Sequence, residues 1–343
     1  MAAITTQVEV VNDRSSNATF SVTVVLHAHD GAVVGSASSS VQNVERGSTT
    51  VTRVVVVVQN VSLWSIDAPH LHTMVTTLTD PAGLAVGYTK VAATAVDRVT
   101  TPFGVRKVRW SPDSGMLLNE QQVRLNGFAN HQDLGGLGTA VPDPLQDYRM
   151  HRMKELGANA WRCAHNPPNP ALVGAMDRLG MVVMVENRSI GPSNNYDKHH
   201  AAPPVNATQI AADVVTMVRT FRNSPSVVLW SLCNEEGCFE HLDTNLPGLS
   251  VGASVKQLIV SHDGTRAVMA AMNDGMYYAP TSAADGNPPA YSAGAGIALS
   301  AILDVQGVNY QHLALDDWHA RRPAQPMLSS EAAAILRTSC EVF

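Results

Sequence analysis

The sequence has few of the residues that mark several common classes of protein. Four of its 343 residues are cysteine, too few for a disulfide framework in a chain of this size. Charged residues make up 15% of the chain, the formal net charge is -6, and neither Lys nor Arg forms a block, which argues against a nucleic-acid-binding surface. Apolar runs such as "VVVVV" at 54–58 are far too short to cross a bilayer.

The first residues, "MAAITTQVEV", lack the basic and apolar regions of a signal peptide, so the cytoplasm is the default expectation and the compartment stays unknown. Hydrophobic residues make up 45% of the chain, which indicates a globular protein, and the length predicts two domains. Cys233 and Cys238 flank the segment "NEE", but no close Cys or His completes a tetrahedral metal site. We therefore expect packing thiols there.

Up to about residue 103 the chain is typical of β-structure. The segments "TQVEVVN", "TFSVTVVLHA", "TTVTRVVVVVQ" and "HTMVTTLTD" are rich in Val and Thr, partly alternate, and are separated by turn-forming segments such as "NDRSSN" and "DPAG". This spacing predicts an antiparallel β-sandwich over 1–103, and nothing in it clusters chemistry. We expect a supporting role for this domain.

From residue 104 to 343, apolar strands alternate with helical patterns. In "TQIAADVVTMVRTF" the apolar residues recur at helical spacing, and "PALVGAMDRLG" starts near a proline and stops at Gly180. Alternating strands and helices predict a parallel sheet with right-handed connections.

The ends of the predicted strands carry most of the functional signal. We predict seven strands, in the segments "QVRLNGF", "ANAWRCA", "MVVMVE", "SVVLWSL", "RAVMAAM", "LDVQGVN" and "PMLSSE". At or just after them stand, in order, His131; His165 and Asn166; Glu186; Asn234 and Glu235; Asn273; Asn309 and Tyr310; and Glu331. In a (β/α)8 TIM barrel all the carboxyl ends of the strands meet at one rim, where the active site lies.

A doubly wound open sheet would give similar alternation. It usually brings a glycine-rich phosphate turn near its first strand, and the nearest match, "GGLG" at 135–138, leads into "TAVPDP" and not directly into a helix. The barrel is therefore the better prediction.

Two carboxylates facing one pocket suit glycoside hydrolysis. One protonates the leaving oxygen and the other faces the anomeric carbon, and each raises the proton affinity of the other. Glu235 and Glu331 follow the fourth and seventh strands, which lie across a barrel mouth from each other. Taken singly, each Glu is more often a cap or a solvated charge, each His a structural residue, and each Trp a core residue. Their joint position at strand ends favours a site.

The sequence resembles glycoside hydrolase family 2, which contains β-galactosidases, β-glucuronidases and β-mannosidases. The resemblance is carried by "LWSIDAPHLHTM", "TPFGVRKVRW", "RLNGFANHQDLGGLG", "LGANAWRCAHNPPNPALVGAMDRLGMVVMVE", "RNSPSVVLWSLCNEEG", "DVQGVNY" and "PMLSSEAAA". It covers about residue 60 to the C-terminus and, more loosely, the part before. It implies an immunoglobulin-like β-sandwich followed by the barrel, and "NHQDLGGLG" is most similar to β-galactosidase-like members.

The resemblance also implies roles for individual residues. Glu235 would be the general acid/base and Glu331 the nucleophile of a retaining mechanism, with carboxyl groups roughly 5–5.5 Å apart. Asn234 would bind the sugar 2-hydroxyl. The remaining expected substrate-binding residues are His131, Arg162, His165, Asn166, Asn309 and Tyr310, with Arg162 near Glu331 and Tyr310 orienting it.

Three departures from the family pattern matter. The segment "VENRSIGPSN" after the third strand offers Glu186 but no His, so we expect no cofactor and no magnesium site. Glu331 is followed by "AAA", where some members have a His. No jelly-roll segment precedes the first domain and only "AAAILRTSCEVF" follows Glu331, so we expect a fragment whose barrel is incomplete at its C-terminus.

The leading hypothesis is a retaining exo-β-glycosidase, a β-galactosidase by preference, acting on a β-galactoside or a related oligosaccharide. β-Glucuronidase or β-mannosidase specificity stays open, as does an inactive fragment or carbohydrate-binding remnant of such an enzyme. A weaker alternative is metal-dependent hydrolysis by His131, His165 and Glu186. Family members often form homo-oligomers, and no nucleic-acid or membrane partner is expected.

Overall fold

The structure is a computed structural model that describes residues 2–81, 85–86, 89–90, 94–188, 207–234, 248–272, 302–310 and 315–332. Two units separate by their internal contacts: residues 1–64 with 68–105, and residues 65–67 with 106–343. The division at 103/104 expected from the sequence stays a prediction. In the described part of the chain, no helix is both long and apolar enough to span a membrane.

The first unit is a β-sandwich, as predicted. Its strands are β1 (Ala2–Val11), β2 (Ala18–His27), β3 (Val33–Ser38), β4 (Gln42–Val44), β5 (Thr49–Val58), β6 (His72–Asp80), β7 (Ala85–Val86), β8 (Thr89–Lys90) and β9 (Thr94–Phe103). β1 pairs with β5, and a second antiparallel sheet has the order β3-β2-β6-β9, with β4 added to β2 and with β7 and β8 paired separately. Alternate residues of β5 are buried, which places Val54, Val56 and Val58 against apolar residues of β2.

The second unit begins with an antiparallel sheet of β10 (Val108–Ser111), β11 (Gly115–Leu118) and β12 (Gln121–Val123). The predicted first barrel strand "QVRLNGF" is therefore partly wrong, because its first residues belong to β12. Asn119 and Glu120, with φ of +52° and +67°, form the tight turn that returns the chain from β11 to β12. The barrel strand starts later, at Gly127.

The barrel sheet contains seven described strands in sequential parallel order. They are β13 (Gly127–Asn130), β14 (Ala160–Cys163), β15 (Val182–Glu186), β16 (Val227–Asn234), β17 (Ala267–Met272), β18 (Val305–Asn309) and β19 (Met327–Glu331). Cα atoms of β13 and β19 come within 8 Å of each other, so the first and seventh strands approach across the remaining gap. The sequential order and the near closure are those of a (β/α)8 barrel.

Helices cover the outside of this sheet: α1 (Asp143–Glu155), α2 (Pro170–Leu179), α3 (Ala207–Phe221), α4 (Gly248–His262) and α5 (Leu315–Arg321). Their apolar faces pack on outward-facing strand residues such as Trp161 and Trp230, which are both fully buried core residues. A smaller apolar cluster fills the inside of the barrel around Met184, Leu229 and Met269. Two layers of core, one on each side of the sheet, explain why these strands are apolar almost throughout.

The cysteines only partly match the expectation of packing thiols. Cys163 is a buried free thiol, and burial raises its pKa. Cys233 at the end of β16 is instead disulfide-bonded, which the sequence did not predict. Cys238 and Cys340 lie outside the described residues.

Helix α2 begins and ends as the sequence predicts. The Asn169 side chain accepts a hydrogen bond from the Ala171 backbone at 2.8 Å, and Pro170 occupies the first turn. Gly180 closes the helix in the left-handed conformation at φ +69°, and a Cβ there would lie 2.1 Å from the carbonyl oxygen of Ile66. Both the backbone conformation and the contact require glycine.

Gly180→Ala is therefore expected to lower the free energy of unfolding by roughly 2–5 kcal/mol, because it combines left-handed strain with a backbone collision. Gly174→Ala, in the same helix, is the control: its Cβ would meet only Arg178 Nη1 at 3.5 Å, and it should stabilise the chain by up to about 1 kcal/mol. Urea denaturation of both variants tests this. Equal effects of the two substitutions would show that the Gly180 contact is not a constraint.

Candidate active site

Five of the seven described strands of the barrel bring polar residues to the carboxyl-terminal rim. Arg162 lies near the end of β14, and β15, β16, β18 and β19 end at Glu186, Asn234, Asn309 and Glu331. Because these strands are parallel and nearly in sequence order around the barrel, their ends converge. All five side chains join one hydrogen-bonded network.

At the bottom of this network lies a buried ion pair. The side chains of Arg162 and Glu186 are 1% and 0% exposed. Arg162 Nε donates to Glu186 Oε2 at 3.1 Å, and Arg162 Nη2 lies 2.9 and 2.8 Å from the two carboxylate oxygens. Ser231 Oγ donates a further bond to Oε2 at 2.8 Å. Burying two charges is tolerable here because each is paired and hydrogen bonded.

The pKa values of the pair shift in the directions that keep both groups charged. Burial raises the pKa of Glu186, but the positive charge of Arg162 and hydrogen bonds from His165 and Arg162 outweigh it, so the pKa lies below its ordinary value. Burial lowers the pKa of Arg162, and the charges and hydrogen bonds of Glu186 and Glu331 reverse that and raise it. Both members of the pair therefore stay charged beneath the rim.

Glu331 lies above this pair and is partly accessible, with 13% of its side chain exposed. Its Oε2 accepts from Arg162 Nη1 at 2.9 Å and from Asn309 Nδ2 at 3.4 Å. Its Oε1 accepts from the Tyr310 hydroxyl at 2.5 Å. All three partners are donors, which suits the acceptor-only carboxylate.

The two asparagines are fixed by acceptors and donors around them. Asn234 Oδ1 accepts from Arg162 Nη2 at 2.7 Å and from Asn309 Nδ2 at 3.0 Å. Ser330 Oγ donates to Asn309 Oδ1 at 2.7 Å. The orientation of the Asn234 amide follows, because Oδ1 is held towards Arg162 and the amide nitrogen is turned the other way.

Tyr310 has an unusual backbone conformation for a large residue, with φ +62°. Its N–H donates to the carbonyl oxygen of Glu331 at 2.7 Å while its hydroxyl reaches the Glu331 carboxylate. The two contacts, one from the main chain and one from the side chain, hold the strained residue against the end of β19.

Two histidines border the network. His165 Nδ1 lies 3.1 Å from both Glu186 Oε1 and Arg162 Nη2, and Nε2 lies 4.0 Å from Glu331 Oε2. The ring of His131 stands edge-on to that of His165, with centroids 5.0 Å apart, and His131 itself is exposed. Asn166 is exposed beside them.

The residues expected from the sequence are thus mostly brought together. The network contains Arg162, His165, Asn234, Asn309, Tyr310 and Glu331, and His131 adjoins it through His165. Glu235 and Asn273 lie outside the described residues. The sequence reasoning missed Ser231 and Ser330, since single serines within apolar strands carry no distinctive signal.

The metal-dependent alternative is not supported by the positions of its ligands. Glu186 lies at the buried end of the network, where both of its oxygens are engaged by Arg162. Among the residues with described positions, no three His, Cys, Asp or Glu side chains are arranged to hold a metal ion.

Comparisons with known proteins agree on one family. Residues 111–333 match the model described as "Glycosyl hydrolases family 2, TIM barrel domain", and residues 1–106 match "Glycosyl hydrolases family 2". The chain is 28% identical over 344 residues to the β-galactosidase BoGH2A of Bacteroides ovatus, covering 96% of this chain and 38% of that protein. It is 31% identical over 140 residues to a β-glucuronidase of Bacteroides fragilis, covering 41% and 20%.

Solved structures give the same fold. A glycosyl hydrolase family 2 member from Bacteroides cellulosilyticus superposes with a TM-score of 0.76 at 24% identity, covering 97% of this chain and 40% of that one. A β-glucuronidase from Bacteroides uniformis gives 0.73 at 24% identity, covering 95% and 37%. The chain therefore spans about two fifths of the length of the relatives that it matches nearly end to end.

Arg162→Met is expected to lower the free energy of unfolding by about 3–5 kcal/mol at pH 8, because it leaves the buried Glu186 charge without its partner. Burial then dominates and raises the pKa of Glu186, so the variant gains stability by binding a proton as the pH falls. The loss relative to the parent should thus shrink between pH 8 and pH 5.

Urea denaturation at both pH values measures this. Arg152→Met is the matched control, since Arg152 and its partner Glu155 are both 56% exposed and should contribute less than about 1 kcal/mol. A loss for Arg162→Met that is small, or that grows towards pH 5, would contradict the buried ion pair.

Proposed function

Because the chain belongs to glycoside hydrolase family 2, we propose that its barrel carries a retaining β-glycosidase site, with Glu331 as the nucleophile and Glu235 as the general acid/base. The observation that supports this most is the setting of Glu331: a partly accessible carboxylate at the rim, held by Arg162, Asn309 and Tyr310. Such a group is oriented by its donors and is accessible to a substrate.

In the first step an oxygen of Glu331 attacks the anomeric carbon, and the glycosidic carbon–oxygen bond breaks. Glu235 gives its proton to the leaving oxygen, so the aglycone departs as an alcohol. In the second step Glu235 takes a proton from water, the water oxygen attacks the anomeric carbon, and the bond to Glu331 breaks. The carboxylate of Glu331 and the proton of Glu235 are both restored, and the anomeric configuration is retained.

The contacts of Glu331 suit a nucleophile that must later leave. Arg162 and Tyr310 each donate to a different carboxylate oxygen, which fixes the plane of the group before attack. While one oxygen of Glu331 is bonded to the sugar, Arg162 and Tyr310 remain in place. They can then stabilise the negative charge that returns to Glu331 when its bond to the sugar breaks. Stabilisation of that developing charge by fixed donors is a general source of catalysis.

Asn234 is proposed to bind the sugar 2-hydroxyl through its amide nitrogen. Its Oδ1 is already engaged by Arg162 and Asn309, so within the described part of the site the amide hydrogens are the groups left to face a ligand. A donor at the 2-hydroxyl oxygen strengthens its contact as positive charge develops at the anomeric centre.

A neutral hexose, galactose by preference, fits the charges of the site better than a sugar acid. Among the residues whose positions are described, the cation in the network is Arg162, and it is already shared among Glu186, Glu331 and Asn234. A sugar carboxylate placed near Glu331 and Glu235 would need a further cation. The relatives include both β-galactosidases and β-glucuronidases, so the preference for galactose rests on the charges.

Glu331→Gln and Glu235→Gln are each expected to lower kcat for nitrophenyl β-galactoside, the latter by about 10²–10⁴-fold, since one removes the nucleophile and the other the proton donor. Glu236→Gln is the matched control, because we expect the side chain next to Glu235 to be solvated, and it should keep the parent rate. Full activity in either of the first two variants would refute the assignment. A parent chain without turnover would favour a non-catalytic role.

A panel of nitrophenyl β-glycosides tests the sugar. We expect kcat/KM for the β-galactoside to exceed that for the β-glucuronide by at least about tenfold, because the acid form places an unpaired carboxylate beside two glutamates. A preference for the glucuronide would overturn the galactose proposal and leave the two catalytic glutamates unaffected.

A further inference from the structure

Glu186 has no role in the reaction described above, yet it is more deeply buried than Glu331, the other carboxylate of the site whose position is described. Its side chain is 0% exposed, and it contacts Arg162, Ser231 and His165 rather than Glu331. A buried charge of this kind is costly unless it is paired, and each of the three partners lies within hydrogen-bonding distance of a carboxylate oxygen. The number of hydrogen atoms available in this cluster decides which of its groups donate and which accept hydrogen bonds.

Arg162 has one hydrogen on Nε and two on each of Nη1 and Nη2. Nε is directed to Glu186 and Nη1 to Glu331. Three groups surround Nη2: Glu186, with oxygens at 2.8 and 2.9 Å, Asn234 Oδ1 at 2.7 Å and His165 Nδ1 at 3.1 Å. Two hydrogens cannot serve three acceptors, and the two shorter contacts go to Glu186 and Asn234.

His165 Nδ1 is left without a hydrogen from Arg162. It lies 3.1 Å from Glu186 Oε1, and a carboxylate oxygen of an ion pair can only accept. Two acceptors facing each other at this distance would repel, so Nδ1 must carry the hydrogen and donate it to Glu186. In the tautomer with the hydrogen on Nδ1, Nε2 carries none, and it lies on the Glu331 side at 4.0 Å from Oε2.

We propose that Glu186 is a positioning residue that fixes His165 in the Nδ1–H tautomer, so that Nε2 accepts a hydrogen bond from a hydroxyl group of the bound sugar. The same carboxylate holds the guanidinium of Arg162 in the orientation from which Nη1 donates to Glu331. The tautomer follows from the geometry alone, whereas the sugar contact rests on the proposed function. His165 would thereby distinguish a hydroxyl donor from a group that can only accept.

Nitrogen-15 NMR reads the tautomer without any need for turnover. In long-range proton–nitrogen spectra of the labelled full chain at pH 8, the His165 signals, identified by their loss in His165→Phe, should show a protonated Nδ1 and an unprotonated Nε2. Glu186→Gln should move the hydrogen to Nε2, because the amide group of Gln can donate to Nδ1. Ser231→Ala is the control: it removes one bond to Glu186, keeps the charge, and should leave the tautomer unchanged.

A protonated Nε2 in the parent chain, whether or not Nδ1 also carries a hydrogen, would overturn the inference, and so would an unchanged tautomer in Glu186→Gln. Addition of isopropyl β-thiogalactoside to the parent should shift the Nε2 signal towards that of a hydrogen-bonded acceptor, and no shift at saturation would refute the sugar contact.

Activity separates this inference from the proposed function. On nitrophenyl β-galactoside, Glu186→Gln should lower kcat/KM by about 10²-fold through misplacement of Arg162 and His165, and Glu186→Asp should recover part of that loss. Absence of turnover in the parent refutes the proposed function while the tautomer is still decided by NMR. Turnover in the parent, with a normal tautomer and normal rate in Glu186→Gln, refutes the positioning role alone.

Discussion

The buried ion pair of Arg162 and Glu186 is the interaction on which the rest of the site depends. Neither charge could remain inside the barrel without the other, since each ion loses most of its hydration there. The pairing ties the second strand of the barrel to the third, and the remaining N–H groups of Arg162 reach the fourth and seventh strands through Asn234 and Glu331. A single guanidinium thus sets the relative positions of four strand ends.

The backbone of the barrel makes this convergence possible. The strands approach closely where side chains are small: a Cβ on Gly307 would lie 2.5 Å from the carbonyl oxygen of Ala270, so only glycine allows β17 and β18 their present contact. Below the rim, Met184, Leu229 and Met269 fill the interior and exclude water from the underside of the ion pair. The polar network is therefore confined to the upper end of the barrel, where a substrate can reach Glu331.

Much of the fold can be predicted from the sequence. Both faces of the barrel sheet are buried, so its strands are apolar almost throughout and end abruptly in a polar residue. Six of the seven predicted barrel strands match, and the exception, "QVRLNGF", merges β12 with β13 because a tight turn next to a short strand has no periodicity of its own. The helix formed by "PALVGAMDRLG" is equally clear, since Asn169, Pro170 and Gly180 mark its ends.

The site was predictable in membership and only partly in connectivity. Strand ends identified Asn234, Asn309, Tyr310 and Glu331 as neighbours, because topology brings the rim together, and the family resemblance added Arg162 and its place near Glu331. The sequence could not show that Glu186 pairs with Arg162 rather than with a metal, because the partner of Glu186 depends on which residues of the third strand face inward. Nor could it identify Ser231 and Ser330, whose hydroxyls matter only through the side chains opposite them.

The separation of the Glu235 and Glu331 carboxyl groups tests the central claim most directly, measured in a crystal structure of the chain with a sugar analogue bound. A retaining site requires the two groups on opposite sides of one sugar, about 5–5.5 Å apart. That distance, with Arg162 still bridging Glu186 and Glu331, is the predicted result. A separation of about 9 Å or more, or a Glu235 side chain on the outer helical layer, would contradict it.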